Sequence, residues 1–302
     1  MYDAVIVGGG PAGLAAAIYL ARQKLSFAFI AGEVGGQTEW SSDVENYLGF
    51  HLLPGNELVK RFRKHLADYK DAFELHEGNE VHHIAKAPGG FTVKTFDRDY
   101  ITRTVLLATG SKPRLLKVPG ETLLVGKGVS YCATCDAPLF PKKSVFVVGG
   151  GNAALDASLF ASKYAKHVTL VTVNDAMQGD RALLDRVHDQ KNIAIQSGRR
   201  TVRILGRAKV IGIVLATKDG KEQTEKADGV FIETGIIPNA DFIHLVKKDR
   251  LGQIVVDKGN RTSVEGIWAA GDVTDVTQKQ IAVAVGEGAK AALSLIHYVQ
   301  TH

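Results

Sequence analysis

One local pattern occurs twice in this chain of 302 residues, and it limits the folds that the chain can adopt. Its first copy starts with an apolar run at residues 4–7, followed at once by Gly8, Gly10 and Gly13 and then by an alanine-rich stretch at 14–24. This spacing predicts a β-α-β unit with a G-x-G-x-x-G turn between strand and helix. Such glycines allow a tight turn and let a pyrophosphate approach the helix N-terminus.

The second copy lies in the middle of the chain. An apolar run at residues 145–148 leads into Gly149, Gly151 and Ala154, and a helical pattern follows at 156–164. Two such units in one chain favour an α/β fold with two Rossmann-like dinucleotide-binding domains. They predict two nucleotide ligands, typically FAD and a nicotinamide nucleotide.

The sequence contains two cysteines, Cys132 and Cys135, spaced as C-x-x-C between the two glycine-rich loops. A disulfide framework needs more cysteines, and a zinc site needs about four ligands, which this pair and the scattered histidines do not supply. The spacing therefore predicts a redox-active dithiol and no metal site. The alternative, a pair of buried inert thiols, is disfavoured by the same spacing.

Composition and charge exclude several other classes of function. The net charge is +5, but the modest basic cluster at residues 199–207 has no interleaved aromatic side chains, so nucleic-acid binding is not expected. Every apolar stretch is shorter than the roughly 18 residues of a spanning helix, so a membrane protein is not expected. The N-terminus reads as a strand and not as a signal peptide, and we expect a cytoplasmic location.

Together these residues resemble the low-molecular-weight thioredoxin reductase family over essentially the whole chain. The matching motifs are GGGPAGLAAA at 8–17, GGQ at 35–37, ATG at 108–110, CATCD at 132–136, GGGNAA at 149–154 and AAGD at 269–272. Other stretches are similar to the reductase core of the flavoprotein subunit of alkyl hydroperoxide reductase: PLFPKK, GVFIETGIIPN and KQIAVAVGEGAKAAL.

The resemblance implies a discontinuous FAD-binding domain at residues 1–112 and 242–302. A pyridine-nucleotide-type domain that carries the dithiol would be inserted at 113–241. The family is typically homodimeric, and its nucleotide domain rotates so that the dithiol meets either the flavin or a protein substrate.

The resemblance also implies roles for single residues. The predicted FAD contacts are Gly8, Gly10, Gly13, Gln37, Asn46, Thr109, Asp272 and Gln280, and Glu33 is a candidate for the ribose hydroxyls. Cys135 would lie nearest the flavin, and Cys132 would attack the substrate disulfide. Asp136 would exchange protons with the thiols. A turn-forming or capping role before Pro138 is an equal alternative for Asp136.

The segment that should identify the electron donor departs from the family pattern. Thioredoxin reductases usually place arginines there to bind the 2′-phosphate of NADPH, whereas residues 171–178 contain none. The NADH-using branch has Glu where this chain has Thr172, and Asp175 is a possible substitute. NADH is thus favoured over NADPH. Arg181, which lies downstream of this segment, is a reason to retain NADPH as an alternative. The predicted nucleotide contacts are Gly149, Gly151, Ala154 and Thr172.

Three functions remain open at this point. The first is an NADH-dependent reductase of a thioredoxin- or glutaredoxin-like protein disulfide. The second is a family member that takes electrons from ferredoxin or another donor in place of NADPH. The third is an FAD-dependent dithiol oxidase that passes electrons to oxygen. A flavoprotein that only binds is disfavoured by the paired thiols beside Asp136.

Overall fold

The computed structural model describes residues 1–40, 44, 46–51 and 53–302. Met1–Lys112 and Ile237–His302 form one compact unit, and Pro113–Ile236 form a second. Residues 237–241 thus belong with the first unit, although the sequence analysis placed them in the inserted domain. The reason is local: Asn239 donates its Nδ2 hydrogen to the Thr109 carbonyl at 3.0 Å, and Ala240 is buried in the core of the first unit.

The elements follow in chain order. The first part of the chain forms β1 (Tyr2–Val7), α1 (Pro11–Arg22), β2 (Phe27–Ala31), α2 (Gly55–Ala67), β3 (Glu74–Glu77), β4 (Val81–Ala87), β5 (Gly90–Thr95), β6 (Asp99–Leu107) and β7 (Ser111–Pro113). The middle part forms β8 (Val129–Ser130), α3 (Ala133–Asp136), β9 (Ser144–Val148), α4 (Asn152–Ala161), β10 (His167–Val171), α5 (Arg181–His188), β11 (Ile193–Gln196), β12 (Arg200–Gly206), β13 (Val210–Ala216), β14 (Glu222–Lys226), β15 (Gly229–Ile232) and β16 (Ile236–Pro238). The last part forms β17 (Ile267–Ala269) and α6 (Ile281–Thr301).

The first unit is built on a largely parallel sheet in the order β3-β2-β1-β6. Strand β17 continues the parallel pairing along the end of β6, whereas β5 pairs antiparallel with its beginning. Helices α1 and α6 share one core cluster with one face of this sheet. Their backbones come close, since a Cβ atom added at Gly288 of α6 would lie 2.0 Å from the Ala12 carbonyl oxygen of α1.

Residues 254–257 form no strand, although their apolar start favours one. Ile254 makes only isolated bridges, and Asp257 comes directly before the turn at 258–259. The Asp257 carboxylate accepts the backbone N–H groups of Gly259 and Arg261, each at 2.8 Å. These side-chain bonds replace the ladder that a strand would have supplied.

The second unit contains a parallel sheet in the order β11-β10-β9-β15-β8. Helices α3, α4 and α5 contribute to a core cluster on one face. The antiparallel sheet β12-β13-β14 contributes to the cluster on the other face. The predicted α/β class with two Rossmann-like domains is confirmed. Among the described residues, no helix has both the length and the apolar character needed to cross a bilayer.

Candidate active site

The two cysteines lie in one tight turn of the second unit and form a disulfide with a Cα–Cα distance of 5.3 Å. Cys132 is the N-cap of α3, directly after the short strand β8. The backbone N–H of Cys135 donates to Cys132 Sγ at 3.2 Å, so this sulfur faces a hydrogen-bond donor. A donor in that position stabilises negative charge on the sulfur, as a nucleophilic thiolate requires.

Asp136 closes the same turn. Its backbone N–H donates to the Cys132 carbonyl oxygen at 3.1 Å, and the residue is partly buried. The carboxyl group therefore belongs to the short helix that carries both sulfurs. This placement suits the predicted proton exchange with the thiols, and that role stays a prediction.

A second carboxyl group, which sequence reasoning missed, borders the dithiol turn. Glu233 follows β15, and its Oε1 accepts the backbone N–H of Ala133 at 3.3 Å. Burial raises the pKa of Glu233 to about 7, against the smaller lowering effect of the Ala133 N–H. The available signal was an acidic residue at the end of an apolar strand, since carboxyl ends of parallel strands gather at one edge of a sheet.

The second glycine-rich loop joins β9 to α4 with little room for side chains. A Cβ atom added at Gly149 would lie 2.4 Å from the Glu233 carbonyl oxygen, and one added at Gly150 would lie 2.8 Å from Thr172 Oγ1. At Gly151 the nearest atom would be 3.6 Å away, so the loop is open there. The backbone at this helix N-terminus can thus approach a phosphate group closely.

A cavity of about 400 Å³ lies next to this loop and is lined by residues 173–178 and Lys218. Asp175 forms an ion pair with Lys218 at its edge. The Thr172 side chain, in contrast, is buried, and its Oγ1 accepts the Asn174 N–H at 3.2 Å. Of the two residues that the sequence proposed for the ribose, Asp175 is the more accessible.

The first glycine-rich loop has the corresponding geometry in the first unit. Gly8 has a φ of +110°, and a Cβ atom there would lie 2.3 Å from the Ala108 carbonyl oxygen. At Gly13 a Cβ atom would lie 2.0 Å from the Gly8 carbonyl oxygen, whereas at Gly10 it would meet nothing within 4 Å. The turn is closed on its protein side and open at Gly10, which fits the pyrophosphate of the predicted FAD.

The structure connects several of the other predicted FAD residues. Asn46 donates to Gln280 Oε1 at 2.9 Å, just before the N-terminus of α6. Thr109 donates its hydroxyl to the Asn239 carbonyl oxygen at 2.6 Å. Gln37 donates to the Ser111 carbonyl oxygen at 2.7 Å. These three bonds thus join residues of the first unit that are distant in sequence.

Two further predicted residues occupy different environments. Glu33 is exposed, and its backbone oxygen would lie 2.4 Å from a Cβ atom added at Gly9. Asp272 is partly buried, and burial raises its pKa while Lys279 opposes the shift. Burial lowers the pKa of Lys279, whose Nζ donates to the Thr274 carbonyl at 2.6 Å. Within the described part of the chain, no group of three or more His, Cys, Asp or Glu residues is arranged to hold a metal ion.

Comparison with known proteins gives consistent results. The sequence model of the pyridine nucleotide-disulphide oxidoreductase family matches residues 2–288. The chain is 35% identical over 302 residues to the F subunit of alkyl hydroperoxide reductase in Staphylococcus epidermidis, covering 99% of this chain and 59% of that protein. The chain therefore spans only about three fifths of the length of this relative.

Two solved structures are similar along the whole chain. Thioredoxin reductase from Streptococcus pyogenes is 36% identical, with a TM-score of 0.94 and coverage of 100% of this chain and 99% of that chain. Thioredoxin reductase from T. acidophilum is 42% identical, with a TM-score of 0.66 and coverage of 98% of both chains. These matches confirm the resemblance that the sequence motifs predicted.

Proposed function

Since this chain belongs to the pyridine nucleotide-disulphide oxidoreductase family, we propose that it carries electrons from NADH through FAD and the Cys132/Cys135 dithiol to a protein disulfide. The chain is an oxidoreductase of the thioredoxin reductase type, and the proposal adds its donor and its acceptor. One observation carries it: the Cys135 N–H donates to Cys132 Sγ in the turn that holds both cysteines.

FAD would be held by the first unit. Gly10 leaves the turn open for the pyrophosphate. Gln37, Asn46, Thr109 and Gln280, which are held by hydrogen bonds within this unit, would contact the cofactor. Asp272 is assigned to the ribityl chain. When bound, FAD supplies two-electron transfer between the nicotinamide nucleotide and the disulfide.

The protein's own steps take place on the dithiol. Cys132 Sγ, as a thiolate, attacks one sulfur of the partner disulfide and forms a mixed disulfide, while the partner's other sulfur leaves as a thiolate. Cys135 then attacks Cys132 Sγ, which restores the Cys132–Cys135 disulfide and releases the second partner thiolate. Asp136 accepts the proton that Cys135 loses and returns it to a leaving sulfur. The partner gains two electrons, and the enzyme's dithiol loses two.

The proposal of NADH rests on the cavity beside the second glycine loop. Among the described residues that line it, Lys218 is the one cation, and Asp175 pairs with it. A carboxylate at this edge repels a 2′-phosphate and can accept hydrogen bonds from ribose hydroxyls. Gly149, Gly151 and Ala154 would seat the pyrophosphate.

A thioredoxin- or glutaredoxin-like protein is the proposed acceptor. A second candidate is the disulfide of a peroxide-reducing partner, which the similarity to the F subunit of alkyl hydroperoxide reductase favours. We further propose that the protein is cytoplasmic and forms a homodimer. Sedimentation would detect the dimer as twice the chain mass of 32.5 kDa.

Anaerobic mixing of the purified flavoprotein with NADH and, separately, with NADPH tests the donor. We expect NADH to bleach the flavin absorbance within seconds and NADPH to act at least about tenfold more slowly at equal concentration. Bleaching by reduced ferredoxin alone would contradict the proposal in favour of the second function. Rapid oxygen consumption driven by a small dithiol without nucleotide would favour the oxidase.

A further inference from the structure

We infer that Glu233 takes up a proton when the Cys132–Cys135 disulfide is reduced, so that the reduction potential of this dithiol depends on pH through Glu233. The inference rests on the redox-active dithiol of the proposed function. It is independent of which nucleotide supplies electrons and of which protein receives them.

The contact between Glu233 and the dithiol turn is direct. Glu233 Oε1 accepts the backbone N–H of Ala133 at 3.3 Å, and Ala133 is joined by its peptide bond to Cys132. Glu233, Ala133 and Thr134 also line one cavity of about 380 Å³. The carboxyl group therefore lies beside the two-residue link that separates the sulfurs.

Charge explains why reduction would affect this group. The Cys135 N–H already donates to Cys132 Sγ, so the reduced turn favours a thiolate at Cys132. A new negative charge nearby disfavours an ionised carboxyl group. Because burial already raises the pKa of Glu233 to about 7, that additional effect acts in the physiological range.

Among the described residues, three other charged side chains line the cavity that Glu233 borders. Asp156 of α4, Lys163 just after α4 and Arg186 of α5 line the same cavity, and Asp136 closes the dithiol turn. The Lys163 ammonium lies over the Phe160 ring, 5.3 Å from its centroid. Asp156 is exposed, whereas Glu233 is partly buried and in contact with the turn. Glu233 is therefore the carboxyl group of this cavity that reduction of the dithiol affects most.

The proton and electron balance is simple. Two electrons, supplied by reduced FAD in turnover or by a small dithiol in the test, break the S–S bond. Cys135 takes one proton and becomes a thiol, and Cys132 remains a thiolate. The ionised Glu233 carboxylate takes a second proton, so reduction consumes two protons where Glu233 starts ionised. Without Glu233, the same reduction consumes one.

The test equilibrates the flavoprotein with dithiothreitol redox buffers from about pH 6 to about pH 9 and counts reduced cysteines by alkylation and mass shift. Above about pH 7, the equilibrium constant for reduction of the Cys132–Cys135 disulfide should fall about tenfold more per pH unit in the wild type than in Glu233→Gln. That difference corresponds to about 30 mV per pH unit for a two-electron couple. Asp156→Asn, which removes a carboxylate from the same cavity without touching the turn, should follow the wild type.

Parallel pH dependences for the wild type and Glu233→Gln would overturn the inference. So would an Asp156→Asn profile that matches Glu233→Gln. A measurement on the wild type alone removes any dependence on the folding of a variant: the infrared difference spectrum on reduction near pH 8 should show a carboxylic acid band appearing and a carboxylate band disappearing. Absence of both changes would refute proton uptake by a carboxyl group.

Discussion

Replacement of Glu233 by glutamine should change how the stability of the oxidised protein depends on pH. The pKa of Glu233 rises from its ordinary value of 4.5 to about 7 in the folded protein because the group is removed from water. Between these pH values the folded state binds a proton that the unfolded state has lost. The free energy of unfolding of the wild type therefore falls as pH rises through this window, and the loss is complete above about pH 7.

The size of the loss follows from the same two pKa values. A difference between 4.5 and about 7 corresponds to about 3.5 kcal/mol over the full pH window, at about 1.4 kcal/mol for each pH unit. Glutamine occupies nearly the same volume, accepts the Ala133 N–H through its amide oxygen and does not titrate. Relative to that of the wild type, the free energy of unfolding of Glu233→Gln should therefore increase by up to about 3 kcal/mol between about pH 5 and about pH 8.

Urea unfolding at fixed excess FAD, followed by circular dichroism across that pH range, measures this difference. Asp156→Asn is the matched control, because Asp156 lines the same cavity but is exposed. The difference in free energy of unfolding between Asp156→Asn and the wild type should stay constant with pH. A Glu233→Gln difference that varies by less than about 0.5 kcal/mol over the range would refute the buried-carboxyl reasoning.

Three further predictions concern the sites around the two glycine loops and the dithiol. Gly13→Ala places a Cβ atom 2.0 Å from the Gly8 carbonyl oxygen, so the purified protein should lose most of its flavin absorbance; full flavin content would contradict the FAD assignment. Asp175→Asn removes the ion-pair partner of Lys218 and should raise the ratio of kcat/KM for NADPH to kcat/KM for NADH about tenfold. The control variant Asp219→Asn should leave this ratio unchanged. The same ratio in the two variants would exclude the role of Asp175. Asp136→Asn should slow disulfide reduction at least about tenfold while reduction of an artificial acceptor by NADH stays unchanged, and unchanged disulfide kinetics would return Asp136 to a turn-forming role.

The β-α-β units could be predicted from the sequence because their signals are local. The apolar run before each glycine loop is buried on both faces of a parallel sheet, and the glycines mark the turn. Boundaries were less accurate. Helix α1 begins at Pro11 and not at the predicted residue 14, since proline lacks only an N–H that the first helical turn leaves unbonded.

Features that depend on long-range contacts were not predictable. Helix α5 was missed because it spans only eight residues, of which Val187 alone is buried, so its amphipathic pattern is short. Glu233 reaches the dithiol only because β15 and β8 are neighbours in the sheet, a pairing that no local pattern specifies. The Asp175–Lys218 ion pair likewise joins residues from two separate loops.

The central claim is that the dithiol in the Cys132–Cys135 turn carries electrons to a protein disulfide. It is tested most directly by NADH-driven reduction of a thioredoxin-type disulfide under anaerobic conditions, with Cys132→Ser beside the wild type. We predict that the wild type releases two partner thiols for each NADH consumed. Cys132→Ser should release none while still reducing an artificial electron acceptor with NADH. Partner thiol release by Cys132→Ser at the wild-type rate would contradict the claim.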